Sequence, residues 1–308
     1  MEGFKSNFLG RILWFSITET RISYEQLKTA FENADIDKKY LPKPICVKDA
    51  FRRASKIAEA KRIRLDKNCY LNLLVREVKN ADGEMIRQLV REVVDSKTVQ
   101  SEYVPVANMV LENDKDFDAY KLPGVPALLQ EEKTALINVE AEFDRCKSNY
   151  NGRGIRELIQ KILNDMDPIP VRPSGGVYFI PERFVAVVEA LSEFVSEISR
   201  YSVSGEKSSL WNVPVIDTEE NRAMVIGALE EQAKKDSQSL IAEMAKVLKG
   251  KKGITQKLAE KYIQQVKGLK GKVKKYEEML QTEVVSCRSA MDLALGQTKA
   301  LLDQVETA

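Results

Sequence analysis

From Leu258 onward, apolar residues return every three or four positions: Leu258, Tyr262, Val266, Leu269, Val273, Tyr276 and Leu280, then more loosely Val284, Met291, Leu295, Leu302 and Val305. That spacing is the stripe of a long α-helix, heptad-like over several turns, and such a stripe has to be covered by another apolar surface. A second helical segment precedes it. Thr218 is its expected N-cap, Glu219 and Glu220 sit in the first turn where the helix dipole favours negative charge, and the pattern runs to about Lys249. A "GKKG" turn separates the two. The span 217–308 is therefore expected as a long, coiled-coil-like helical hairpin. Copies of the chain would associate through Leu258, Val266, Leu269, Val273 and Leu280.

The same region carries the largest charge feature. From Ala245 to Lys275 there are eleven lysines, Lys246, Lys249, Lys251, Lys252, Lys257, Lys261, Lys267, Lys270, Lys272, Lys274 and Lys275, against the single carboxylate Glu260. With a net charge of +2 for all 308 residues, the rest of the chain is net acidic. A run this one-sided repels itself unless it faces anions, supplied by nucleic acid, an acidic protein or the acidic remainder of the chain; a solvated helix face is the plainer reading.

Upstream, the pattern predicts an α+β fold. Ser23 caps a helix with Leu27, Ala30, Phe31 and Ala34 on one face, and a basic helix begins near Lys48. "CYLNLLVREVKN" and "EMIRQLVREVVDS" flank "ADG", a hairpin signal, and Pro105 in the next strand predicts an edge or a bulge. One face of this antiparallel meander is expected on the two preceding helices, closing a unit over 1–122. A mixed helical region with a central β-hairpin follows over 123–216. In its first helix Leu128, Leu136, Val139 and Phe143 are the expected buried positions, and "ERFVAVVEALSEFVSEISRY" is a strongly amphipathic helix.

Histidine is absent from the chain. That excludes Ser-His-Asp and Cys-His catalysis and H-E-x-x-H zinc chemistry. The cysteines Cys46, Cys69, Cys146 and Cys287 are too scattered for a zinc finger or a disulfide framework, so reduced thiols in a cytoplasm are expected. No apolar run is long enough to span a membrane, and the N-terminus lacks a signal-peptide cleavage pattern. No cofactor is expected.

Three further stretches bear on function. The "PSGG" turn lies between "IPVR" and "VYFIP", so a strand follows the glycines where a phosphate-binding loop would open a helix. The stretch reads as a structural hairpin with Val177 and Phe179 inward, or as a wing behind the helix "GIRELIQKIL", with Arg153, Arg156, Lys161 and Arg172 on phosphates. Asp66, Glu77 and Lys79 resemble an Asp…Glu-x-Lys nuclease site, Glu77 and Lys79 sharing a strand face if the side chains alternate. "DAFRRASK" places Arg52, Arg53 and Lys56 on a surface helix able to meet phosphate or an acidic partner.

Two blocks, "LGRILWFSI…ISYEQLKTAF…LPKPICVKDAFRRA" and "RPSGGVYFIP", resemble an uncharacterised family found in phages and other mobile elements. The resemblance implies a bacterial cytoplasm and an accessory role; it brings no catalytic residue with it. The resulting expectation is a non-enzymatic protein that oligomerises and binds nucleic acid through the lysines and Arg172. The alternatives are an anti-defence inhibitor that occupies a host protein, and a metal-dependent nuclease.

Overall fold

The computed structural model describes residues 7–81, 83–97, 100–249, 255–285 and 291–299. Strand β1 (Phe8–Ser16) and the short β2 (Arg21–Ser23) lead into helices α1 (Tyr24–Asn33) and α2 (Val47–Lys56). Five strands follow: β3 (Ala60–Arg64), β4 (Cys69–Ala81), β5 (Glu84–Asp95), β6 (Gln100–Glu112) and β7 (Asp116–Lys121). Next come α3 (Gln130–Ser148), β8 (Asn149–Asn151), α4 (Gly152–Asn164), β9 (Ile169–Pro170), β10 (Val177–Pro181), α5 (Val185–Ile198) and β11 (Ser209–Ile216). The chain then forms α6 (Glu219–Lys249) and α7 (Gln256–Leu280), and residues 291–299 are again helical. The fold is α+β, with antiparallel sheets throughout.

The central hairpin is part of a larger sheet, in the order β11–β1–β10–β9. Neighbouring side chains of a strand point to opposite faces, and both faces of β10 are buried. Ile180 joins Leu13 of β1 in a cluster with α1, α4 and α5, whereas Phe179 joins Leu9, Val215, α6 and α7 on the other side. The sheet is thus the middle of three layers. The N-terminal apolar run is β1, paired with β10 and β11 across more than 160 residues of sequence. Its apolar residues face both ways, so no alternation announced a strand.

Close approach fixes Gly10, opposite Pro181. A Cβ there would lie 2.1 Å from the Ile180 carbonyl oxygen and 2.8 Å from the Phe179 ring. Gly10→Val is expected to cost about 1–3 kcal/mol, because backbone must shift to admit the methyls. Gly227 lies in α6 with nothing within 4 Å of a Cβ, and Gly227→Ala is expected to stabilise by about 0.5–1 kcal/mol. Thermal melts of the two variants check both signs.

The meander β3–β4–β5–β6–β7 packs one face on α2 and α3. Of the two helices expected on it, only α2 is there; α1 packs on α5, where Phe31 meets Phe194 edge-on at 5.2 Å. Pro105 accompanies a bulge: Leu89 pairs with Ala107 and Val90 with Pro105, leaving Val106 extra, in a strand flanked on both sides. Val139 and Phe143 of α3 are buried, while Leu128 and Leu136 are half-buried at the edge of the same cluster.

The C-terminal helices form the expected hairpin. Thr218 caps α6 through its Oγ, which accepts from Asn221 N at 3.2 Å. Val225 and Leu229 share a cluster with Tyr276 and Leu280 near the sheet, and Met244 shares a distal one with Ala259 and Tyr262. α7 therefore runs back along α6, in an arm whose first helix is about 46 Å long at 1.5 Å per residue.

Candidate nucleic-acid interface

The stripe proposed for association between copies is covered within the chain. Val266, Val273 and Leu280 are buried and Leu258 and Leu269 half-buried, packed by α6 and by Met291, Ala294 and Leu295 of the last helical segment. Its lysines divide into three groups. Lys251 and Lys252 lie outside the described residues. Lys246, Lys249, Lys257, Lys261 and Lys267 are exposed, the first four beside the distal cluster, where α6 ends and α7 begins. Among the described residues, Glu243 on α6 and Glu260 on α7 are carboxylates of that end.

The remaining lysines serve contacts within the chain. Lys270 pairs with Asp292 at 3.2 Å, and Lys274 approaches Glu278 at 3.8 Å. Lys275 reaches the Asp167 carboxylate at 2.9 Å. Lys272 donates to the Pro168 carbonyl, and burial pushes its ammonium below the usual lysine range against the pull of Asp236 and Asp167. Tyr276 adds its hydroxyl, donated to the Asp167 carbonyl at 2.6 Å. The start of the central hairpin is thus the socket in which α7 sits. Asp167 is suited to the corner, since its φ of 52° is left-handed and Asp tolerates that region better than most residues.

The other basic candidates are spread out. Arg172 is exposed in the hairpin turn, where Gly175 and Gly176 supply φ of 75° and 83°. α4 buries one side in the core through Ile155, Leu158, Ile159 and Ile162, and its opposite side carries the exposed Arg153, Arg156 and Lys161 beside Glu157. Arg156 donates to the Ile17 carbonyl at 3.1 Å and Arg153 pairs with Glu157 at 2.8 Å, leaving Lys161 exposed. Arg53 donates to the Cys146 carbonyl at 3.2 Å.

The nuclease-like trio is not brought together. A bulge at Val78 places Glu77 opposite Arg87 and Lys79 opposite Ile86, neighbours on β5 that face opposite ways, so Glu77 and Lys79 do not share a face. Asp66 lies in the turn before Cys69, eight residues of extended strand from Glu77, or about 26 Å. Glu77 instead pairs with Arg52 at 3.1 Å, whose guanidinium holds the carboxyl below its usual range. Among the described residues no group of three or more His, Cys, Asp or Glu side chains is placed to hold a metal.

The opposite charge gathers near the base of the arm. A cleft of about 800 Å³ opens between residues 34–40, the end of α4 and α5. Six carboxylates line it, Asp35, Asp37, Asp165, Asp167, Glu189 and Glu193, with Lys39 as the cation in the lining; from outside it Lys275 and Arg183 pair with Asp167 and Arg11 approaches Glu189. Its floor includes Ile36, Met166 and Tyr40, whose hydroxyl donates to Asp165 at 2.8 Å. Burial raises the Tyr40 phenol, and the Asp165 bond adds to it. The acidic remainder inferred from composition is therefore concentrated in part at one place, apart from the exposed lysines. Sequence reasoning missed this cleft because its carboxylates come from three separate segments.

Residues 8–307 match DUF6744, a family of unknown function. The chain belongs to that family. No curated protein and no solved structure matches it. No helix among the described residues of this DUF6744 member is long and apolar enough to cross a membrane.

Proposed function

We propose that this protein binds nucleic acid, without sequence preference, through the free end of the α6–α7 arm. The observation that carries this reading is the exposure of Lys246, Lys249, Lys257, Lys261 and Lys267 after α7 has folded back and used Lys272 and Lys275 in its socket. Ammonium groups on a helical arm neutralise phosphates as point charges and release counterions, which supplies affinity but reads no bases. The acidic cleft repels the same polyanion and so biases its approach toward the arm. The resemblance of the two sequence blocks to an uncharacterised family of phages and mobile elements favours an accessory role in a bacterial cytoplasm.

With about five phosphates neutralised, the binding constant falls with a log–log salt slope of about −4.5, a loss of several-hundred-fold between roughly 50 and 200 mM salt. Fluorescence anisotropy with a labelled duplex measures it. Changing Lys246, Lys257, Lys261 and Lys267 together to Glu is expected to abolish binding at the higher salt. Binding that is insensitive to salt or to this variant overturns the reading.

A second reading, occupation of a host defence or replication protein, is supported by the acidic cleft as a surface for a basic partner. A nuclease-resistant complex with one protein, lost on changing Glu189 and Glu193 to Lys, would decide for it.

A further inference from the structure

A different cavity is lined by hydroxyls and basic side chains. α5 ends in a 3₁₀ turn at Ser199–Tyr201, and residues 202–208 return the chain to β11. Between them lies a cavity of about 630 Å³. Six serines line it, among them Ser196, Ser208 and Ser209, together with Arg200 and Lys207, and Trp211 borders it; no carboxylate is in its lining. The loop is held in shape. Ser208 is buried, its amide donating to Ser199 Oγ at 3.0 Å and its own Oγ accepting from Thr18 N at 3.1 Å. Thr18 Oγ1 also donates to Ser202 Oγ at 3.2 Å, tying the loop to the end of β1.

We propose that this cavity binds the phosphate group of a small phosphate ester. Serine hydroxyls donate to phosphate oxygens, and charged donors strengthen such contacts. Lys207 is exposed and makes no ion pair among the described residues, so its charge is available to a ligand. Arg200 is held by Glu197 at 2.6 Å, which fixes the guanidinium and partly offsets its charge. The end of α5 contributes about half a negative charge to the same place; the full charge of Lys207 and the residual one of Arg200 outweigh it. The volume exceeds that of a phosphate alone, leaving room for the organic group it esterifies.

The chain has two tryptophans, Trp14 and Trp211, stacked at 6.0 Å, so intrinsic fluorescence reports directly on this cavity. AMP and inorganic phosphate are the probes. A saturable change is expected with each, tighter for AMP, and Lys207→Glu is expected to weaken both about tenfold or more. Ser196→Glu, exposed on α5, should do the same, with unchanged thermal melts showing that both variants fold. No saturable change up to about 10 mM of either probe, or an affinity that both variants leave intact, overturns the proposal. Competition by a 5′-phosphorylated oligonucleotide but not its unphosphorylated twin assigns the site to strand ends; no competition assigns it to free esters. The variant with four arm lysines reversed keeps AMP binding, so this site and the nucleic-acid reading fail separately.

Discussion

Glu132→Ala is expected to lower folding stability by about 3–5 kcal/mol, among the largest effects of any single charged-residue change in this chain. The Glu132 side chain is 0% exposed and that of Arg91 13%. Their contact is bidentate, Nε to Oε1 at 2.6 Å and Nη2 to Oε2 at 2.7 Å. Glu132 Oε2 also accepts from Leu129 N at 2.8 Å and so caps α3. Removing the carboxylate leaves a largely buried guanidinium without its counter-charge and frees a helix-end donor. Both losses act where α3 covers the meander. Arg91→Ala should be comparably damaging, since it strands the carboxylate. The double change Arg91→Met with Glu132→Leu should recover most of the loss, because no charge is then left unpaired. Urea denaturation followed by circular dichroism measures all three. A single-mutant cost below about 1 kcal/mol would mean that the pair behaves like a surface ion pair, contrary to its burial.

This pair also marks what the sequence could convey. Glu132 occupies the first turn of α3, where a carboxylate is ordinary, and Arg91 lies 41 residues away on a strand. Nothing local distinguishes them from solvated charges. Local chemistry, by contrast, was legible. Ser23 caps α1 with Gln26 completing a capping box, Thr218 caps α6, and the bulge at Pro105 follows from a residue that cannot donate to the ladder. The three-and-four spacing on α7 correctly predicted a helix needing cover. The expected hairpin set α6 against that face, but spacing could not say that residues 291–299 complete the cover, because it fixes a face and not every partner. For the same reason a count of lysines could not separate Lys272 and Lys275, which hold the socket, from Lys257 and Lys261, which face solvent. Alternation misled at Glu77 and Lys79, since one extra residue at Val78 reverses the facing of everything beyond it.

The socket offers the second large effect. Tyr276 is 0% exposed, its ring 6.3 Å from that of Phe179 and its hydroxyl on the Asp167 carbonyl. Tyr276→Ala removes a fully buried aromatic and is expected to cost about 3–5 kcal/mol. Tyr276→Phe keeps the ring but leaves the carbonyl without that donor, at about 1–3 kcal/mol. Lys275 is 55% exposed, so Lys275→Ala, which deletes only its pair with Asp167, should stay within about 1 kcal/mol. The ranking Ala at 276, then Phe at 276, then Ala at 275 therefore measures how far burial, rather than charge, seats the arm. pH provides a separate test. Burial, with the Asp167 charge, drives the folded phenol well above its ordinary range, whereas an unfolded tyrosine ionises near about 10. The folded state then holds a proton that the unfolded state releases. Stability from this group is complete below about pH 10 and declines above it. Tyr276→Phe should flatten that alkaline decline while lowering stability at neutral pH, and an unchanged alkaline slope would mean that Tyr276 is not the group whose ionisation opens the socket.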